Sequence, residues 1–210
     1  VKNKMLPQEK WAGVCCSIRK APEILAAYEK FKQQDESLLL DYDAILLWAE
    51  RAFSEDEELL QRYQSRYSYV FTDESQDTSL VQHRLIAHLV EKSGNLCVVA
   101  DDDQSIYRWR GADPEYLLEF RKHYPAALIL YMEQNYRSAP EIVKAADFFI
   151  RRNKKRYVKP MFTENKQPGQ IVLHKFMDDR QQVKYLVQQL QQEGGQKKTC
   201  AVLYRNHASS

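Results

Sequence analysis

In the stretch VFTDESQDTS (70–79) an apolar run hands over directly to two adjacent carboxylates, Asp73 and Glu74. A pair at the carboxyl edge of a strand can do two jobs in phosphoryl chemistry. One carboxylate coordinates Mg2+, a hard cation that prefers oxygen, and the next orients a water for attack. A second acidic run, DDDQ at 101–104, follows the next apolar run, LCVVA (96–100). It ends on Gln104, whose amide both donates and accepts. The pair alone also fits plainer work: acidic residues after strands commonly cap helices, and Asp77, Thr78 or Ser79 could cap the one that follows.

Such groups act together only if the elements beneath them bring them to one edge. From Pro22 to about Tyr67 the apolar residues recur at three and four, through Ile24, Leu25, Tyr28, Phe31, Ile45, Leu46, Trp48 and Phe53, which predicts a helical region. Short β-rich runs then appear at 67–72, 96–100, 127–131, 170–176 and 200–205, with helical patterns between them at about 79–92, 114–123, 139–153 and 179–193. Nearly continuous apolar strands alternating with helices predict an α/β fold whose mainly parallel sheet is buried under helices. Ligands in such folds bind beyond the carboxyl ends of the strands, and both acidic runs begin there. The one dense charge run, RRNKKR (151–156), suits the carboxyl end of a helix and reads as solvated surface.

Composition bounds the rest. The chain has 210 residues, 44% of them hydrophobic, enough for a real core. Lys and Arg number 31 against 29 Asp and Glu, a net charge of +2, so any nucleic-acid contact must be local. Cys15, Cys16, Cys97 and Cys200 form neither a zinc spacing nor a disulfide framework, and they read as reduced, mostly buried thiols. With neither a membrane-length apolar stretch nor the apolar segment of a signal peptide, a cytoplasmic protein is the expectation.

Three motifs taken together go further: DESQDTS at 73, DDDQSIYRWRGAD at 101 and EQNYRSAP at 133 closely resemble the signature motifs of the UvrD/Rep family of superfamily 1 DNA helicases. LLLDYDAILL (38–47) resembles the family's segment ahead of the acidic motif, and AVLYRNHASS (201–210) its tyrosine-arginine motif. The resemblance implies a RecA-like motor core that hydrolyses ATP and moves 3′ to 5′ on single-stranded DNA, opening duplex junctions. It implies that Asp73 holds Mg2+, that Glu74 acts on the attacking water, and that Gln104 senses the terminal phosphate. Gln76 and Asp77 would couple nucleotide state to the rest of the motor. Tyr107 and Trp109 would stack on bases, with Arg110 in a polar network between DNA and phosphates. Tyr136 would stack on adenine, Arg137 would reach the terminal phosphate from the second lobe, and Arg205 would contact DNA beside Tyr204.

The chain departs from the pattern at Ser75, at His207 and at Ser209, and His207 is given no role. It also has no glycine-rich loop ending in Gly-Lys-Ser/Thr, which the phosphates of ATP require. GGQKKT (194–199) lacks the glycine before Lys198 and precedes a β-rich run instead of following one. The expectation is therefore an internal fragment of a longer motor, inactive by itself. Residues 1–62 would be a helical accessory segment, 63–132 the later part of the first RecA-like lobe, and 133–210 the start of the second. Two other readings stay open: a motor-dead remnant that binds DNA or protein, and a Mg2+-dependent nuclease built on Asp73, Glu74 and Asp101–Asp103.

Overall fold

The computed structural model describes residues 5–6, 10, 18–33, 39–194 and 200–204. Three helices come first: α1 (Ala21–Lys32), α2 (Tyr42–Glu55) and α3 (Glu57–Arg66). Local chemistry sets their ends. Pro22 opens α1, where its missing N–H costs no helix bond. Asp41 caps α2 by accepting the Ala44 N–H at 2.7 Å, and Asp56 caps α3 through the Leu59 N–H at 2.9 Å. Lys32 reaches Asp41 at 3.1 Å, tying α1 to the cap of α2. Phe53 packs its ring 5.3 Å from that of Tyr63, which fixes α2 against α3.

The sheet is one parallel pair, β1 (Val70–Thr72) and β2 (Leu96–Val98), with Val70 opposite Leu96, Phe71 opposite Cys97 and Thr72 opposite Val98. Bonds from Val99 N–H to the Thr72 carbonyl (2.8 Å) and from Ser75 N–H to the Val99 carbonyl (3.1 Å) carry the pairing past both strand ends. Parallel strands need a crossover, here α4 (Leu80–Val90). After β2 come α5 (Pro114–Leu118) and α6 (Phe120–His123), broken at Glu119, then α7 (Pro140–Ile150) and α8 (Asp179–Gly194). The helical patterns expected at 79–92, 139–153 and 179–193 appear as α4, α7 and α8, and the one at 114–123 as α5 and α6. Thr72, Leu96 and Val98 face Ile86, His83 and Leu117, leaving a cavity of about 10 Å3, room for one water at most.

Several expectations are corrected. Among the described residues the sheet is covered on one face only: Phe71 is 73% exposed and Cys97 opposite it is also exposed. The runs at 127–131, 170–176 and 200–204 form no strands among the described residues. An apolar extended run becomes a strand only where a neighbour takes its N–H and C=O groups, and among the described residues no third strand joins the β1–β2 pair. Leu128, Leu130, Leu173 and Leu203 are accordingly exposed. Cys200 is exposed as well, for the same want of a covering neighbour, while Cys15 and Cys16 lie outside the described residues. The charge run is not uniformly solvated either, because the Arg156 side chain is 7% exposed. No helix among the described residues is long and apolar enough to cross a membrane.

Candidate functional site

β1 ends at Thr72 and releases Asp73 and Glu74, both exposed, at its carboxyl edge. Asp73 Oδ1 accepts the Glu74 N–H at 2.8 Å, while no hydrogen bond among the described residues involves Oδ2. Glu74 sits at φ 50°, ψ 36°, the left-handed region that a residue with a Cβ enters only at a cost of about 1–2 kcal/mol. A 3-10 turn, Ser75–Asp77, follows, pinned by the Ser75 hydroxyl on Thr72 Oγ1 at 2.8 Å.

Gln76 is the centre of the arrangement and is 1% exposed. Its Nε2 donates to Glu74 Oε2 at 2.6 Å, its Oε1 accepts the Asp101 N–H at 3.0 Å, and its carbonyl accepts the Ser105 hydroxyl at 3.2 Å. The two acidic runs are thus joined through one buried amide. Asp77 lies beside them with Oδ1 buried and unpartnered, and burial, then the Glu74 charge, push its carboxyl above the usual range. The helix cap proves to be Ser79, whose N–H and hydroxyl both donate to Gln82 Oε1 at 2.9 Å.

Beyond β2, Asp101 opens the 3-10 turn Asp102–Gln104. Its Oδ2 accepts Gln104 Nε2 at 2.7 Å, and Gln104 is otherwise exposed. The aromatic loop comes next. Tyr107 and Trp109 lie 6.2 Å apart, centroid to centroid, with the Arg110 guanidinium 5.2 Å from the first ring and 5.0 Å from the second. Gly111 ends that turn at φ 98°, a conformation that favours glycine. Trp109 is 76% exposed. The loop is stitched to the acidic turn by a Ser79–Ala112 bridge and by the Asp113 N–H on the Thr78 carbonyl at 3.0 Å.

A second cluster brings Tyr136 and Arg137 to the surface. Residues 133–135 pair with Phe162, and Asn135 Oδ1 accepts the N–H groups of Arg137 (3.0 Å) and Ser138 (2.7 Å), shaping the turn that exposes both side chains. Gly169 packs so closely here that a Cβ on it would stand 2.5 Å from that of Ala139. Tyr136 and Arg137 make no hydrogen bond or ion pair with Asp73, Glu74 or Gln104; Arg205 and His207 lie outside the described residues.

What the sequence did not reveal is how the acidic run is filled. Asp101, Asp102 and Asp103 bring carboxylate oxygens within 4.8 Å of one another. Lys159 Nζ stands among them, 2.8 Å from Asp101 and 3.3 Å from Asp103 and closest to Asp102. Arg156 grips Asp103 with Nε at 2.7 Å and Nη2 at 2.5 Å. Burial, the largest influence on Asp101, works to raise its carboxyl, but the Lys159 and Gln104 hydrogen bonds with the Lys159 charge hold it below the usual range. Burial likewise opposes the Lys159 charge, and the hydrogen bonds it donates to Asp101 and Asp102 outweigh that, so the ammonium titrates above an ordinary lysine. Nothing in RRNKKR distinguishes Arg156 from its neighbours; the carboxylates it faces do.

A parallel strand pair carries acidic turns at its carboxyl edge, and the first of them is stitched to an exposed aromatic loop. Residues 1–125 match the UvrD/REP helicase N-terminal domain and residues 130–210 the UvrD-like helicase C-terminal domain, and the chain belongs to this helicase family. These domains imply a RecA-like α/β fold, of which the described residues display the helices and one strand pair. The chain is 36% identical over 191 residues to the ATP-dependent DNA helicase PcrA of Staphylococcus epidermidis, covering 89% of this chain and 26% of that protein. The PcrA of Staphylococcus aureus is 36% identical over 190 residues, with the same coverage. The chain therefore spans about a quarter of the length of these relatives.

Proposed function

We propose that this chain carries the hydrolytic edge and part of the DNA path of an ATP-driven helicase that moves 3′ to 5′ on single-stranded DNA. The observation that carries the reading is the double link at Gln76–Ser79. Gln76 ties Glu74 to Asp101 and, through it, to Gln104, while Thr78 and Ser79 are bonded to the loop that exposes Trp109. Groups suited to phosphate and groups suited to bases thus share one short, hydrogen-bonded piece of chain. A change at one is felt at the other.

In this reading Glu74 orients the attacking water, and Gln104 reads the terminal phosphate with an amide that donates or accepts. Asp73 fits Mg2+, since its Oδ2 is left open beside an exposed edge. Held there, Mg2+ would supply neutralisation of the phosphate charge. Tyr136 offers a ring for adenine and Arg137 a cation for the developing phosphoryl charge, both from a segment we assign to the second lobe, 133–210. Residues 63–132 are assigned to the first lobe and 1–62 to a helical accessory segment. Tyr107 and Trp109 stack on bases, Arg110 braces their rings, and Arg205 contacts DNA. The nuclease reading gains no support, because Lys159 and Arg156 already fill the acidic run it would use. The test is DNA-stimulated ATP turnover by the full-length protein, which Glu74→Gln should abolish while ATP still binds. The 210-residue chain alone should turn over no ATP. Turnover by Glu74→Gln near the unmodified rate would overturn the assignment.

A further inference from the structure

The residues after α7 reach back to the acidic run in a way that the assigned roles leave unused. Lys155 meets Glu115 at 3.2 Å, Arg156 forks onto Asp103, the Tyr157 N–H donates to Asp102 Oδ2 at 2.8 Å, and Lys159 sits among all three aspartates. The contact is well shielded: the Lys159 side chain is 12% exposed and that of Asp102 5%. Three carboxylates against two cations leave one negative charge, so this arrangement stands only while both cations are present.

We propose that Lys159, braced by Arg156, is a positioning residue that sets the orientation of Gln104 from a later segment of the chain. The path is continuous. Lys159 Nζ holds Asp101 Oδ1 at 2.8 Å, and Asp101 Oδ2 holds the Gln104 amide at 2.7 Å. The Asp101 N–H fixes Gln76 Oε1 at 3.0 Å, and Gln76 Nε2 fixes Glu74 Oε2 at 2.6 Å. Lys159 belongs to the stretch that follows Arg137 and α7, whereas Gln104 belongs to the turn that follows β2. Movement of the later segment therefore acts on the earlier one at Asp101. Without the ammonium, the three crowded carboxylates repel, Asp101 swings toward solvent, and Gln104 loses the acceptor that orients its amide. Gln104 then reads the terminal phosphate poorly, although the nucleotide still binds.

This inference rests on the proposed role of Gln104, and a double-mutant cycle in the full-length protein separates the two. Lys159→Met should lower DNA-stimulated kcat by up to about a hundredfold with little change in the KM for ATP. In a Gln104→Ala background the same change should have little further effect, because both act through one amide. If Gln104→Ala leaves kcat unchanged, the functional reading fails and this inference with it. If Gln104→Ala lowers kcat but Lys159→Met does not, or if the two losses multiply, the inference alone is overturned. Should Lys159→Met not fold, Asp101→Asn replaces it in the cycle with the same expectation. That variant keeps the side-chain shape and the main-chain bond to Gln76 while weakening the hold of Lys159.

Discussion

Gln76 Nε2 lies 2.6 Å from Glu74 Oε2, a buried amide holding an exposed carboxylate that stands on left-handed backbone. The carboxylate is thus aimed by a group that itself never meets solvent. Replacing Gln76 by Ala strands the Asp101 N–H and frees Glu74. Unfolding of this chain by denaturant should show a loss of about 1–3 kcal/mol. Turnover of the full-length protein should fall further than that instability explains at temperatures where the variant remains folded.

His83 sets a pH dependence of stability. Its ring stacks 3.9 Å from Tyr116, Nε2 is buried without a partner, and burial, opposed by Asp113 and aided by His123, lowers its pKa from 6.5 to about 4. A folded-state pKa below the unfolded one means that the unfolded chain binds the extra proton. The stability this group contributes is then complete above about pH 6.5 and is lost as pH falls toward 4. Unfolding free energies from denaturant titrations across that window should decline on acidification, by about 2–3 kcal/mol in all. His83→Phe, which keeps a ring against Tyr116, should flatten much of that decline.

Trp109 stands clear of the surface, with Arg110 braced across its ring. Trp109→Ala in the full-length protein should weaken single-strand binding by about 1–3 kcal/mol at fixed salt, and equally for different base sequences. Thermal unfolding of the variant should be unchanged, since a side chain so exposed contributes little to the core.

Arg137 is held by its backbone N–H on Asn135 Oδ1, so its guanidinium is free of any shaping duty in that turn. Arg137→Lys keeps the charge but loses the planar fork with which, in the proposed role, Arg137 would engage two phosphate oxygens. Turnover should drop by as much as about 10³-fold, the lower end for arginine fingers, while the melting temperature without nucleotide stays put. A large loss of melting temperature instead would mark Arg137 as a structural ion-pair partner.

The helices and motif positions were legible because their causes are local. Asp41 and Asp56 cap the helices that follow them, and Pro114 and Pro140 sit where α5 and α7 begin. Strands depend on remote neighbours, so Leu128 and Leu130 have the composition of a strand and pair with nothing described here. Cys97 likewise reads as buried from its apolar flanks, yet alternation turns it to the uncovered face with Phe71. The Asp-Glu pair and Gln104 could be named from their motifs, but the buried link through Gln76 could not. Lys159 and Arg156 were invisible, since a cation declares itself only by what it faces.

The left-handed backbone at Glu74 has an evolutionary reading. Glycine would occupy φ 50° at no steric cost, so selection for a durable fold alone would favour it there. Glu74 accepts that strain while presenting a carboxylate held by the buried Gln76 amide. If Glu74 has the proposed role, copies of the chain that no longer hydrolyse ATP should accept glycine at this position without loss of stability.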